Sequence, residues 1–332
     1  MVPNDVRTAR GLRVSSEPTE VHRSLWSRAV AILNPVAGRG RGARAEGRLS
    51  GWFGVHFRGT SLEPPALWVT TQETSAHSLA ERAVRDGYDL VVVCGGDGTL
   101  NGVVNGLAGS RVALGLVPLG TGNDFARAIG VPLDPEKAIR QIAAGDSRKV
   151  DLGVRDGRRF INVAGCGFDA EVARCVNAGL GRLNGAAAYV TAVVRTLWTF
   201  RPGRFRVSVD GSVFDGPAML CAVANGIGYG GGMRVAPRAR YDDGLLDVCI
   251  VGACGRAEFL SAFPRVFRGA HLNHPKVSYL RGCTVRIECD PPQPVLIDGE
   301  LDTMTPARFE VLPNALEFVG GGAAKSESGG AL

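Results

Sequence analysis

The densest chemistry in the chain lies in Leu90-Val-Val-Val-Cys-Gly-Gly-Asp-Gly-Thr-Leu-Asn101, an apolar run ending in three glycines around one aspartate. Glycines let main-chain N–H groups turn inward and let a phosphate approach with no Cβ in its way. A helix beginning near Thr99 would aim the positive end of its dipole at the same place. Asp97 in such a loop would repel a bare phosphate, so it makes sense beside a metal ion or an attacking hydroxyl. That is the logic of phosphoryl transfer. A tight strand-to-helix turn without a ligand would use the same glycines. Two more loops weigh against that plainer reading, Asn34-Pro-Val-Ala-Gly-Arg-Gly40 and Pro118-Leu-Gly-Thr-Gly-Asn-Asp124, each following an apolar run. Ligands of open α/β sheets bind outside the C-terminal ends of the strands, so three such loops make a nucleotide cleft the economical explanation. The Gly-x-x-x-x-Gly-Lys-Ser/Thr spacing is missing, and no Gly-x-Gly-x-x-Gly follows the first strand, which disfavours a hydride-transferring dehydrogenase.

These loops need elements to hold them. Residues 29–33, 67–71, 90–94 and 112–117 read as strands. Residues 74–85, with Ala76, Leu79, Ala80 and Ala83 on one face, read as a helix, as do 100–107 and the segment starting at 125–129. Strands alternating with helices imply a parallel sheet covered on both faces. After about residue 150 the texture changes. Asp156-Gly157 and Asp210-Gly211 are hairpin signals, the segments 204–209, 218–224, 245–251 and 284–289 are strand-like, and 186–199 is the one helix expected among them. The fold class is therefore α/β plus β. A doubly wound α/β nucleotide-binding domain at 26–150 precedes an antiparallel β-sandwich-like domain at 151–305. Terminal strands at 306–319 are expected to return to the first domain, between a mobile arm at 1–25 and a flexible tail at 320–332.

The bulk numbers bound what the chain can be. With 332 residues, 45% of them hydrophobic, it can build two cores. A net charge of +6 suits nucleotide phosphates, an anionic membrane surface or an ordinary solvated surface. The arginines are spread rather than clustered, which gives nucleic acid little support. Eight cysteines include no Cys-x-x-Cys pair, so a zinc site is disfavoured. Cys94, Cys221 and Cys249 lie in apolar runs as small buried hydrophobes, which suits a reducing compartment. No secretory signal is visible, and the longest apolar segment, broken by Arg195, is too short to span a bilayer. The expectation is a cytoplasmic protein, soluble or in peripheral contact with a membrane.

Taken together, three groups of residues resemble the diacylglycerol kinase catalytic family, which includes bacterial lipid kinases and the sphingosine and ceramide kinases. They are Asn34-Pro35…Gly38, Gly95-Gly-Asp-Gly-Thr-Leu-Asn101 and Pro118-Leu-Gly-Thr-Gly-Asn-Asp-Phe-Ala-Arg127. The likeness continues through Ile161-Asn-Val-Ala-Gly-Cys-Gly-Phe-Asp-Ala-Glu-Val172, Ala224-Asn-Gly-Ile-Gly-Tyr-Gly-Gly-Gly-Met233, Asp242-Asp-Gly-Leu-Leu-Asp247 and Ile297-Asp-Gly-Glu300. Gly-Gly-Asp-Gly-Thr alone is shared with NAD kinases and phosphofructokinases; the combination is specific.

The resemblance implies an ATP-dependent lipid kinase that phosphorylates diacylglycerol or a related lipid alcohol. Gly95, Gly96, Asp97, Gly98, Thr99, Leu100 and Asn101 would line the ATP phosphates, with Asn34 and Gly38 from the first loop and Thr121 from the third. Thr71, or its neighbour Thr70, would face the nucleotide from the second strand. Glu300, with Asp298 beside it, would take the substrate proton, while Asp97 organises a catalytic Mg²⁺. Asp298-Gly299 read alone is equally a hairpin turn. A structural Mg²⁺ would be held by the Asp243 carboxylate and the main-chain oxygens of Arg240 and Leu245, in a stretch that also reads as an ordinary Asp-Asp-Gly turn. Asp124 either caps the following helix or serves the active site. A homodimer is left open. Two alternatives accompany the lipid kinase: a soluble-substrate kinase resembling the NAD kinases, and a non-catalytic nucleotide- or lipid-binding protein.

Overall fold

The computed structural model describes residues 22–23, 26–58, 60, 62–178 and 186–321. Most of the expected arm at 1–25 and of the expected tail at 320–332 lies outside the described residues. In the first half the strands are β1 (His22–Arg23), β2 (Ala29–Leu33), β3 (Ala66–Val69), β4 (Leu90–Gly95) and β5 (Ala113–Pro118). The helices are α1 (Ala37–His56), α2 (Ala76–Arg85), α3 (Asp97–Gly106), α4 (Asp124–Ile129) and α5 (Pro135–Ala144).

Every residue of β2, β4 and β5 is buried, as parallel strands covered on both faces must be. Alternate side chains serve opposite layers. Ile32, Val91 and Val93 pack with Leu79, Ala80 and Val103 of α2 and α3. Leu33, Val92 and Cys94 pack with Leu49 and Phe53 of α1 and Ile139 and Ile142 of α5. The parallel order is β3-β2-β4-β5, so the order in which strands join the sheet reverses between β2 and β4. Loops leaving those two neighbouring strands part to opposite faces, which opens the crevice where such sheets bind ligands.

Helix α1 is longer than the turn read at 34–40. Gly38, Arg39 and Gly40 are left-handed, and a regular helix follows them. Six glycines between Ala37 and His56 weaken its helical signal, yet Ala45, Leu49 and Phe53, four residues apart, give it one buried stripe. Helix α5 carries plain boundary signals: Asp134 accepts from the Lys137 N–H, Pro135 stands in the first turn, and Gly145 closes the end in a left-handed conformation.

The second half contains β6 (Asp146–Arg155), β7 (Arg158–Phe160), β8 (Val163–Gly167), β9 (Gly203–Val209), β10 (Ser212–Ala224) and β11 (Leu246–Gly252). Then follow β12 (Val277–Gly282), β13 (Thr284–Asp290), β14 (Pro294–Ile297), β15 (Glu300–Met304) and β16 (Ala307–Val319), with α6 (Phe168–Asn177), α7 (Ala186–Thr199) and α8 (Arg256–Ala262). The start of β10 pairs with β9, and its end lies between β8 and β11, so one long strand serves two layers. The layer β9-β13-β16-β6 faces the layer β14-β8-β10-β11. Phe160, Phe205, Val223, Ile250 and Phe309 are among the side chains between them, which makes this half an antiparallel sandwich. The outer face of the second layer is covered by α6, α7 and α8 through Phe168, Val193, Leu197 and Phe259.

Strand β16 fastens the two halves. It pairs with β13 and β6, and its last residues, Phe318 and Val319, run parallel to β5 at Leu114 and Gly115. The Phe318 ring meets Phe125 of the first half edge to face at 5.3 Å.

Candidate active site

The three glycine-rich loops meet at the carboxyl ends of β2, β4 and β5. The Leu119 N–H donates to the Gly95 carbonyl at 2.8 Å, and the Asn34 N–H donates to the Cys94 carbonyl at 3.0 Å. Contact is close enough that glycine is obligatory at two points. A Cβ on Gly38, already at φ +57°, would stand 2.0 Å from the Leu119 carbonyl oxygen, and one on Gly120 would stand 2.5 Å from Gly96 Cα. Asn34 holds the first loop to the second by donating from Nδ2 to Thr99 Oγ1 at 2.9 Å. Helix α3 starts at Gly96 with no side-chain cap, and Gly98 is exposed with open space beyond it. Uncapped N–H groups at a glycine-lined helix start are what an oxyanion of phosphate requires.

Asp97 turns towards the third loop. Its Oδ1 accepts from the Phe125 N–H at 3.3 Å, so Asp97, rather than Asp124, caps α4. The Asp124 carboxylate instead accepts from the Gly231 N–H at 2.9 Å, tying a glycine loop of the second half to the first. Gly122 separates the two acids: a Cβ there would lie 3.1 Å from Asp97 Oδ2 and 3.3 Å from Asp124 Oδ2. Burial first, and then the neighbouring Asp124 charge, push the Asp97 carboxyl up against the pull of the α4 main-chain N–H groups. Two carboxylates converging beside uncapped N–H groups are a donor set that fits a hard divalent cation.

Leu100 is in the core, and Asn101, also buried, donates from Nδ2 to Asp298 Oδ2 at 2.8 Å. Thr121 is exposed on the third loop. Thr71 does not reach the glycine loops. Its hydroxyl donates to Glu73 at 2.8 Å and accepts from the Glu73 and Thr74 N–H groups, closing its own turn. Thr70 is nearer, its N–H donating to the Leu33 carbonyl at 2.9 Å.

Asp298 and Gly299 form the β14–β15 hairpin turn, with φ +44° and +89°. The Asp298 carboxylate is fully engaged. Oδ2 accepts from the Ile161 N–H and Asn101 Nδ2, both at 2.8 Å. Oδ1 accepts from the N–H groups of Asn162 at 2.9 Å and Val163 at 3.0 Å. Burial pushes its carboxyl up while those four donors pull it down. Glu300, two residues on, has a side chain 64% exposed and one ion pair, to Arg158 at 2.6 Å. Of the two acids, Glu300 is the one with accessible oxygen lone pairs.

The loop expected to hold a structural cation is arranged differently. One Asp243 oxygen contacts the Arg281 guanidinium, and the other accepts from the Leu245 N–H at 3.2 Å. Arg281 also holds the buried Asp247 at 3.0 Å, directly across the β11–β12 ladder. The Arg240 side chain pairs with Asp242 at 3.0 Å. As folded, the positive charge beside the Asp243 carboxylate comes from Arg281. Among the described residues no cluster of three or more His, Cys, Asp or Glu is spaced to hold a metal.

An apolar cavity opens beside β10 and β11, lined by Phe168, Val172, Leu220, Phe259 and Phe263, with Asp169 in its wall. Asp169 is 8% exposed, and burial pushes its carboxyl up to about 6, although Tyr229 donates to it at 3.1 Å. Neither Asp169 nor Arg158 carries a role in the sequence reading. An acid inside the apolar stretch 163–172 is a signal that could have drawn attention to Asp169; nothing local marks Arg158. Cys94, Cys221 and Cys249 are buried and free, and burial pushes their thiols up. No helix among the described residues is long and apolar enough to cross a membrane.

Comparison with known proteins divides the chain in the same two parts. Residues 28–154 match the model of the diacylglycerol kinase catalytic domain, and 162–320 match that of the YegS C-terminal NAD kinase beta sandwich-like domain. The diacylglycerol kinase of Bacillus subtilis is 33% identical over 285 residues, covering 85% of this chain and 92% of that protein. That of Mycobacterium tuberculosis is 33% identical over 313 residues, covering 90% and 97%. A crystal structure from Bacillus anthracis superposes with a TM-score of 0.76 at 24% identity, covering 93% of this chain and all of that one, a likeness that bears on fold alone. With a third of its residues shared across nearly the full length of these relatives, and the catalytic model lying over the three loops, the chain belongs to the diacylglycerol kinase family and is a kinase.

Proposed function

We propose that this kinase transfers the γ-phosphate of ATP to the hydroxyl of diacylglycerol or a related lipid alcohol, with Glu300 as the proton acceptor. The observation that carries the reading is a short path along α3. Asp97 and Asn101 lie one helical turn apart on the same face. Asn101 grips Asp298, which stands two residues before Glu300. The phosphate-binding end of the first half and the acidic hairpin of the second therefore share one side of one helix.

On this reading each group has a separate task. The uncapped start of α3 and the glycine loops receive the phosphates. Asp97 and Asp124 would hold Mg²⁺, which when bound offsets negative charge on the phosphate oxygens. Glu300 accepts the proton of the attacking hydroxyl, since an alcohol is a weak nucleophile at neutral pH. Arg158, paired with Glu300 at 2.6 Å, aims that carboxylate. Asp298 fixes the hairpin and does no proton transfer itself. The apolar cavity favours a substrate with acyl chains over a dinucleotide. The names of the relatives quoted above point the same way.

The test is transfer of label from γ-labelled ATP to a panel of diacylglycerol, monoacylglycerol, sphingosine, ceramide and phosphatidylglycerol in mixed micelles. Labelled lipid from the native protein and none from Glu300→Gln would support the reading. Labelling of NAD but of no lipid would replace it with the soluble-substrate alternative.

A further inference from the structure

We infer that the outer face formed by α7, α8 and the turn Phe263–Arg268 docks on an anionic lipid bilayer. The inference rests on the lipid-substrate reading and names the surface through which that substrate would be reached.

The first observation is a set of apolar side chains that the fold has no use for. Along α7, Val193 and Leu197 are buried on the sandwich, yet Val194 and Trp198, one residue further round at the same spacing, are 47% and 63% exposed. Leu260 on α8 and Phe267 on the next turn are 43% and 47% exposed. These elements adjoin. Arg256, the first residue of α8, donates to the Leu197 and Trp198 carbonyls at 3.2 and 2.7 Å, and its guanidinium stacks 5.1 Å from the Trp198 ring. Scattered exposed apolar residues need no explanation, but a contiguous set on joined elements marks an interaction surface.

The second observation is charge. Residues 191–201 and 256–276 contain Arg195, Arg201, Arg256, Arg265, Arg268 and Lys276 against one acid, Glu258. Lys276 and His274 take up that acid at 2.7 and 3.6 Å. These segments are thus strongly cationic in a chain whose overall charge is only +6. Exposed Trp, Leu and Phe interleaved with arginines match an interface of apolar acyl boundary and anionic headgroups.

The third observation is continuity with the cavity. Phe259 and Phe263, stacked at 5.9 Å, line it from the inside of the same helix and turn that carry Leu260 and Phe267 outside. A bilayer lying on this face would stand at the cavity wall, so an acyl chain could pass between the two without crossing water.

The experiment is co-sedimentation of the full chain with vesicles of phosphatidylcholine, alone or with about one-third phosphatidylglycerol, at low and high salt. The native protein should sediment with the anionic vesicles at low salt and lose them at high salt. Arg265→Ser with Arg268→Ser should weaken partitioning roughly thirtyfold, since each basic residue near such a surface contributes about a fivefold factor. Leu260→Ser with Phe267→Ser should weaken it even at low salt. Neither pair should alter ATP-dependent transfer to a short-chain diacylglycerol dispersed as monomers. Unchanged vesicle binding in both double variants would overturn the assignment. So would a native dimer in light scattering that Leu260→Ser with Phe267→Ser dissolves, because the face would then bind a second copy. Transfer to short-chain lipid without vesicle binding removes the docking face and leaves the kinase reading. Vesicle binding without transfer to any lipid does the reverse.

Discussion

Substitution of the two acids of the hairpin should separate proton transfer from bracing. Asp298 accepts four hydrogen bonds between 2.8 and 3.0 Å, three of them from main-chain N–H groups. Hydrogen bonds to a charged acceptor contribute about 1.5–3 kcal/mol each, so Asp298→Ala puts roughly 6 kcal/mol or more at risk. That is comparable with the whole stability of an ordinary domain, about 5–15 kcal/mol, and Asp298→Ala is expected to unfold or to melt far below the native protein. Asp298→Asn is the informative variant. Its amide would have to face either the pair of donors at Oδ1 or the pair at Oδ2, leaving two of the four bonds unmade and costing about 3–6 kcal/mol. Glu300→Gln removes an exposed acid with one ion pair, so stability should change by no more than about 1 kcal/mol. Its activity should nevertheless fall about 10²–10⁴-fold, the usual contribution of a general base. The assays are urea unfolding followed by tryptophan fluorescence and initial rates of lipid phosphorylation on the same preparations. A Glu300→Gln protein with near-native kcat, alongside an Asp298→Asn protein that is stable but inactive, would refute the assignment and move the proton to Asp298.

Three further outcomes follow from other parts of the molecule. The Asp169 carboxyl is pushed up to about 6 by burial, from an ordinary value near 3.8. Well below pH 4 both folded and unfolded forms are protonated; between about pH 4 and 6 the unfolded form ionises while the buried acid stays protonated, so stability falls by about 3 kcal/mol and stays lower above pH 6; Asp169→Asn should therefore be the more stable protein at pH 7 in urea melts but not at pH 3. Gly120→Ala would place its Cβ 2.5 Å from Gly96 Cα and force the second and third loops apart, so ATP affinity by calorimetry should drop at least about tenfold while the melting temperature shifts only a few degrees. Arg281 neutralises Asp243 and Asp247; the native, nucleotide-free protein should melt at the same temperature with Mg²⁺ or with chelator, whereas Arg281→Ala should be destabilised and partly rescued by Mg²⁺ or Ca²⁺.

Much of this architecture was legible because each signal was local. Strands β2, β4 and β5 are short, apolar and lead into glycine-bearing loops, so their bounds could be read to within a residue and the meeting of their loops directly. The Asp156-Gly157, Asp210-Gly211 and Asp298-Gly299 hairpins were legible for the same reason: the aspartates have φ between +44° and +47°, a conformation that Asp-Gly pairs favour. What stayed hidden was either diluted or distant. Helix α1 was diluted by its glycines, although a stripe at Ala45, Leu49 and Phe53 was present. The different surroundings of Asp298 and Glu300 were distant. They depend on Asn101, 197 positions away, and on main-chain groups of 161–163 that no spacing rule connects to an Asp-Gly turn. Arg281 facing Asp243 and Asp247 is likewise a product of β11–β12 register. Sequence motifs mark which residues are unusual, but their partners decide what an acid does. On the proposed reading, four donors make Asp298 a brace, the neighbouring Asp124 makes Asp97 half of a cation site, and pairing with the half-buried Arg158 leaves the exposed Glu300 to take the proton.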